Sequence, residues 1–337
     1  MTDPSTTLRT KNWNLLGHEW AVDMLKQHIA REAVRHAYLF AGPPGLGKRT
    51  LALHFAQALN CPQPKAPGEP CGTCRDCKQF ENMQHPDLSI VQAETEGGTL
   101  KVDQVREVRR SLALKPYQAK YRVALFLRFQ EASEGAANAL LKTLEEAPEH
   151  VILILTADNP EQLLATITSR CEILRLRPLL VDDIEAHLKS HGADAESARL
   201  IAHVSGGRPG YALRLLEDES ALEFRSERLA DLAELLTATR VQKFDYAEKM
   251  AKDKESMRQT LLVWLSYWRD VLLRVSGAQV SITNIDQAES ITSLAEKLTL
   301  ENARRVVHGQ EMALERLEHN VNPRLLAEVL LLDLPVV

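Results

Sequence analysis

The stretch Gly42-Pro43-Pro44-Gly45-Leu46-Gly47-Lys48 constrains this chain more than any other, because of what flanks it. Before it runs the apolar segment His36-Ala37-Tyr38-Leu39-Phe40-Ala41, and after it, from Lys48 to Ala58, apolar residues recur at helical spacing. A strand, a glycine-rich turn and a helix, in that order, let backbone N–H groups curl round a phosphate. The helix N-terminus adds partial positive charge, and Lys48 is placed to reach terminal phosphates. Gly42, Gly45, Gly47 and Lys48 are therefore the candidate phosphate-binding residues.

The surrounding pattern agrees with such a loop. Short apolar runs at Ala37 to Ala41, Leu88 to Val91, Val123 to Phe129, Val151 to Thr156 and Ile173 to Leu176 read as buried strands. Helical patterns lie between them, around Trp20 to Ile29, Lys48 to Ala58, Val102 to Leu112 and Ala136 to Glu145. This alternation predicts an α/β domain with a parallel sheet covered by helices on both faces. After Pro178 the strand signal stops, and Val181 to Leu188, Ala195 to Val204 and Pro209 to Glu217 read as short helices. From about Ser220 the chain is helical, with Leu261, Trp264, Leu265, Trp268 and Leu272 in one stripe. Asn322-Pro323 caps a last helix. Three domains are expected: 1–177, 178–219 and 220–337.

With 337 residues, 45% of them hydrophobic, the chain is long enough for several cores. The start MTDPSTTLRTKNWN lacks the apolar run of a signal peptide, and no stretch reaches the roughly 20 apolar residues of a membrane span, so a cytoplasmic protein is expected. The 41 basic and 46 acidic residues leave a net charge of −5, which gives no general attraction to nucleic acid or anionic lipid. Any DNA contact must be local. Arg106, Arg109 and Arg110, followed by Lys115, Lys120 and Arg122, form such a cluster, either an approach to a DNA backbone or a solvated helix face.

Four of the five cysteines fall in Cys61-x9-Cys71-x2-Cys74-x2-Cys77, on a segment rich in proline and glycine. Four soft ligands so close predict a closed tetrahedral site for structural zinc, with no position open for water. Cys171 stands apart and reads as a small packed residue, with no His or Lys beside it in sequence to lower its pKa.

The loop also departs from that of a working hydrolase. A hydroxyl residue after the Gly-Lys pair binds magnesium in such enzymes, yet position 49 is arginine and Thr50 comes one residue late. A helix turns about 100° per residue, so Thr50 cannot take over the role. The strand Val123-Ala124-Leu125-Phe126-Leu127-Arg128-Phe129 ends without the acidic pair that organises the metal. Weak or absent ATP binding is expected.

The block Asn138-Ala139-Leu140-Leu141-Lys142-Thr143-Leu144-Glu145-Glu146-Ala147-Pro148-Glu149, with Thr166-Ile167-Thr168-Ser169-Arg170-Cys171, closely resembles the clamp-loader branch of the AAA+ proteins. The resemblance extends from His36 to Asn320-Val321-Asn322-Pro323-Arg324-Leu325. It implies an AAA+ P-loop domain with a zinc-module insertion at 61–77, a helical lid at 178–219 and an all-α collar at 220–337. Aligned on that block, Leu127 and Arg128 occupy the places where motor subunits carry Asp and Glu. Gly210 likewise replaces the lid arginine that senses nucleotide, with Arg208 two residues away. The chain is thus more similar to a non-hydrolysing stator than to a motor, and Ser169-Arg170-Cys171 implies an arginine presented to the nucleotide of a neighbouring subunit. Implied partners are the motor and clamp-opening subunits, reached through the collar and the AAA+ face, and the sliding clamp indirectly. The enzyme alternative is a motor-type ATPase using Lys48, Thr50 and Glu131.

Overall fold

The computed structural model describes residues 13, 15–95, 97–318 and 321–335. The chain start through Asn12, with Asn14, and the Asn320 of the C-terminal block lie outside these residues. Two compact units form: one closes at Leu180 and includes Arg208–Tyr211, the other comprises Val181–Gly207 and the chain from Ala212 onward. No helix among the described residues is long and apolar enough to cross a membrane.

The first unit is a five-stranded sheet, all neighbours parallel, in the order β2-β3-β4-β1-β5. Its strands are β1 (Ala37–Ala41), β2 (Leu88–Val91), β3 (Arg122–Phe126), β4 (Val151–Ala157) and β5 (Glu172–Arg175). The helices are α1 (Glu19–Ala30), α2 (Lys48–Asn60), α3 (Arg75–Glu81), α4 (Val102–Leu112), α5 (Glu134–Glu145) and α6 (Ala165–Thr168). Strand side chains alternate between two cores. Tyr38, Phe40, Ile152 and Ile154 pack with α1 and α2, whereas Leu39, Leu153, Leu155 and Phe126 pack with α4 and α5. Both faces are thereby covered, which is why the strands read as unbroken apolar runs.

The expected strand Val123 to Phe129 ends earlier, at Phe126. Arg128 turns into the left-handed region at φ 49°, and its N–H bonds the Thr156 hydroxyl at 2.9 Å. Phe129 starts a short 3-10 turn and packs edge-on to Phe126, with ring centroids 5.5 Å apart. Apolar character thus outlasts the strand because the turn is itself buried. Helix α3 was also hidden, since its seven residues are too few to display a periodic stripe.

The second unit is helical: α7 (Val181–Ser190), α8 (Ala195–Val204), α9 (Pro209–Glu217), α10 (Glu219–Thr237), α11 (Arg240–Met250), α12 (Lys254–Val275), α13 (Ala288–Lys297), α14 (Leu300–Glu318) and α15 (Pro323–Leu332). Leu261, Trp264, Leu265 and Trp268 of the predicted stripe are buried in one core, and Leu272 packs against it half-buried. Asn322 caps α15, its side-chain oxygen accepting from Arg324 N at 3.0 Å. A buried polar web pins the segment before α13. Arg225 grips Asp286 bidentately at 2.8 and 2.7 Å and bonds Asn284, which in turn donates to Asp270 at 2.8 Å. His203 of α8 bonds Ile282 O in the same segment at 3.0 Å, tying the short helices to the long ones.

Asp87 plays the pinning role in the first unit. Wholly buried, it accepts backbone N–H groups of Tyr117, Gln118 and Ala119 at 2.7, 2.9 and 3.0 Å and pairs with Arg122 at 3.3 Å. Burial opposes the charged form, but those donors outweigh it and hold the carboxyl below its ordinary range. Arg122 is thereby committed inside the fold and leaves the basic cluster foreseen for DNA. Asp87→Asn is expected to cost about 2 kcal/mol in urea unfolding, because a single carbonyl oxygen cannot satisfy all these donors. Since the folded pKa is depressed, the contribution is complete above the unfolded value of about 3.9 and disappears as pH falls through the folded one. An Asp87→Asn variant with native stability would contradict this account.

Candidate functional site

The carboxyl ends of β1, β4 and β3 meet where the strand order reverses, the place at which open α/β sheets bind ligands. The predicted loop leaves β1 here. Gly42 N–H bonds Ala157 O at 3.1 Å, extending the β1–β4 ladder by one step. Gly42, Gly45 and Gly47 have φ of 147°, 85° and 85°, so the turn needs residues without a side chain. Gly47 is the N-cap of α2, and Lys48 opens the helix. A cradle of backbone N–H groups at a helix N-terminus is the geometry that binds phosphate.

Lys48 is nine-tenths buried, and its ammonium bonds Gly42 O and Asp158 Oδ1, the latter at 2.8 Å. Asp158 follows β4 and was not singled out from the sequence. No motif marks it, and only the pairing of β1 with β4 brings it to Lys48. Arg49 and Thr50 are both exposed. Leu127 is buried just past β3. Glu131, the alternative base, accepts at Oε1 from Arg128 Nε at 2.8 Å and from Gly97 N–H at 3.1 Å. Its carboxylate thus has an ion-pair partner within its own turn. Gly210 N–H donates to Gly45 O at 2.8 Å, and the Arg208 guanidinium lies 4.5 Å from the centre of the Tyr211 ring.

Arg170 lies between α6 and β5 with a third of its side chain exposed. It donates to Thr166 O at 2.7 Å and pairs with Glu145, at the end of α5, at 2.6 Å. Neighbouring Cys171 is pushed up to about 12 by burial, consistent with a packed, unreactive thiol.

The four clustered cysteines come together, with all Sγ atoms within 4.8 Å of one another, and can hold a metal ion. Cys71 and Cys77 Sγ are 3.9 Å apart. Four thiolates at about 2.3 Å from a tetrahedral ion would be separated by about 3.8 Å. Cys74 caps α3, and Cys77 is buried in its first turn. Backbone N–H groups point at three of the sulfurs: Cys71 N at Cys61 Sγ and Cys74 N at Cys71 Sγ, both 3.3 Å, and Cys77 N at Cys74 Sγ, 3.4 Å. The donors on Cys71 hold that thiol down at about 6, whereas burial raises the Cys74 and Cys77 thiols. The segment is anchored by Trp13 Nε1, which donates to Gly68 O at 3.0 Å, and by the Lys26–Glu69 pair at 3.1 Å. Neither anchor could be foreseen from spacing.

Arg106 and Arg110 of α4 are exposed, with Arg109 half-buried. Arg106 also pairs with Asp103 at 3.2 Å.

A parallel sheet covered by helices on both faces, with a phosphate-loop turn between β1 and the N-terminus of α2, defines a P-loop nucleotide fold. Family models described as "DNA polymerase III, delta subunit" and "DNA polymerase III, delta subunit, C terminal" match residues 17–180 and 221–335. The delta' subunit of Bacillus subtilis is 30% identical over 315 residues, 92% of this chain and 94% of that one. The delta' subunit of Pseudomonas aeruginosa is 29% identical over 322 residues, covering 94% and 95%. The tau subunit of B. subtilis is 29% identical over 344 residues, 94% of this chain but 60% of tau. The chain belongs to the DNA polymerase III delta' subunit family and is a clamp-loader subunit.

The cradle geometry is testable without any ligand. A Cβ on Gly42 would meet Leu176 O at 2.6 Å, in a backbone region that L-residues rarely adopt. Gly42→Ala should therefore destabilise the chain by more than about 2 kcal/mol in urea unfolding. Native stability in that variant would show that the loop relaxes freely.

Proposed function

We propose that this chain is a stator-type clamp-loader subunit that does not turn over ATP and lends Arg170 to the nucleotide of a neighbouring motor subunit. The observation that carries the reading is the position of Arg170. It is part-exposed, one guanidinium nitrogen donates to Thr166 O, and the carboxylate partner of the other, Glu145, is half-exposed and able to give it up. A guanidinium arriving from outside stabilises the spread charge of a phosphoryl-transfer transition state. Around the chain's own loop, by contrast, a basic residue follows Lys48, and Leu127 and Arg128 follow β3 where acids would hold magnesium. The motor alternative needs Glu131 as base, and its ion pair with Arg128 argues against that.

In this reading Cys61, Cys71, Cys74 and Cys77 hold a structural zinc ion. Residues 178–219 act as lid and 220–337 as collar, subdividing the helical elements. The collar and the face bearing Arg170 meet the motor and clamp-opening subunits in the cytoplasm, and the sliding clamp is engaged indirectly. Arg106, Arg109, Arg110, Lys115 and Lys120 make phosphate contacts to primed DNA.

In a reconstituted loader, Arg170→Ala should lower DNA-stimulated ATP turnover by about a thousandfold at the dependent site. Unchanged turnover and clamp loading would remove the trans-acting role. Elemental analysis should find one zinc per chain, and chelation or Cys77→Ser should lower the melting temperature while the sheet's circular dichroism persists. A metal-free chain of full stability would exclude the zinc assignment.

A further inference from the structure

We propose that Asp158 is a built-in counter-ion that occupies the phosphate-reading ammonium of Lys48 and so discriminates against phosphoanions at this loop. The inference deepens the reading of the loop as unproductive and rests on it. It concerns a residue that neither the loop motif nor the missing acids of β3 involve.

The Lys48 side chain is only 10% exposed, and a buried ammonium requires a partner. Its carboxylate partner is Asp158, 2.8 Å away. The register β1–β4, with Ala41 opposite Ala157, sets Asp158 across from Gly42 at the mouth of the loop. Backbone pairing therefore delivers the carboxylate to the lysine. Asp158 remains 35% exposed, so the pair faces the space an incoming anion must enter. A phosphate arriving there would have to displace the carboxylate from Lys48 and then stand beside it. Like charges about 5 Å apart repel strongly at the effective dielectric of a protein surface, enough to weaken binding by about tenfold or more after solvent screening. The N-terminus of α2 and the carboxyl end of β4 thus supply the two halves of a closed ion pair.

An acid beside a phosphate loop could instead serve as a metal ligand, and the two roles predict opposite signs. The full-length chain, with Asp158→Asn and with Asp158→Ser as a second neutral variant, is titrated calorimetrically with sodium pyrophosphate and with ATP. Each titration is run with and without magnesium. Asp158 as counter-ion predicts that both variants bind the anions at least about tenfold more tightly than the unmodified chain, magnesium or not. The gain should vanish in Lys48→Ala/Asp158→Asn. Folded variants, judged by circular dichroism and melting, that show no gain would overturn the proposal. So would a magnesium-dependent loss of ATP binding, which would make Asp158 a metal ligand. Micromolar ATP binding with steady turnover by the unmodified chain would overturn the stator reading instead. The ratio between variants reads Asp158 separately.

Discussion

Parallel pairing of β1 between β4 and β5 is the constraint on which the first unit depends. Because β1 is an interior strand covered on both faces, its residues are buried, and the chain leaves it at the carboxyl end, beside the ends of β4 and β5. The glycine-rich turn follows from that exit: Gly42 sits so close to the Leu176 carbonyl that no side chain fits. The β1–β4 pairing carries Asp158 to Lys48, and the β3–β4 pairing beside it lets Thr156 receive the N–H of Arg128. Loop conformation, lysine partner and early end of β3 thus follow in turn from the β1–β5, β1–β4 and β3–β4 ladders.

Away from the sheet ends, buried charge shapes the irregular segments. Asp87 gathers the N–H groups of Tyr117 to Ala119, and Asp270 gathers those of Thr283 and Asn284 before α13, where Arg225 ties Asn284 to Asp286. Asp87 and Asp270 each remove two or three backbone donors from the ranks of unsatisfied buried groups, so segments without helix or strand become single-valued. The cysteine module uses sulfur in a related way. Its backbone donors aim at three Sγ atoms and hold the Cys71 thiol down.

The site divides into residues that share a stretch of chain and residues that do not. Gly42, Gly45, Gly47 and Lys48 were legible because a strand–turn–helix needs its glycines at fixed offsets. The cysteines were legible because a metal demands several soft ligands within a few ångströms. Asp158 was not, since one aspartate after an apolar strand has many uses. Arg122 was read as part of a basic cluster, yet its neighbour in space is Asp87, 35 residues earlier.

The sequence by itself determined the alternating strands and helices, the phosphate-loop turn, the cysteine cluster and the last helix cap. All of these are local patterns, in which the spacing of residues along the chain is also their spacing in space. Only the tertiary structure decided the strand order, the commitment of Lys48 to Asp158, the burial of Arg122 against Asp87 and the anchoring of Gly68 by Trp13. Those depend on pairings between segments distant in sequence. A buried charge or N–H takes whichever partner the assembled sheet and helices bring within reach, and periodicity carries no record of that choice.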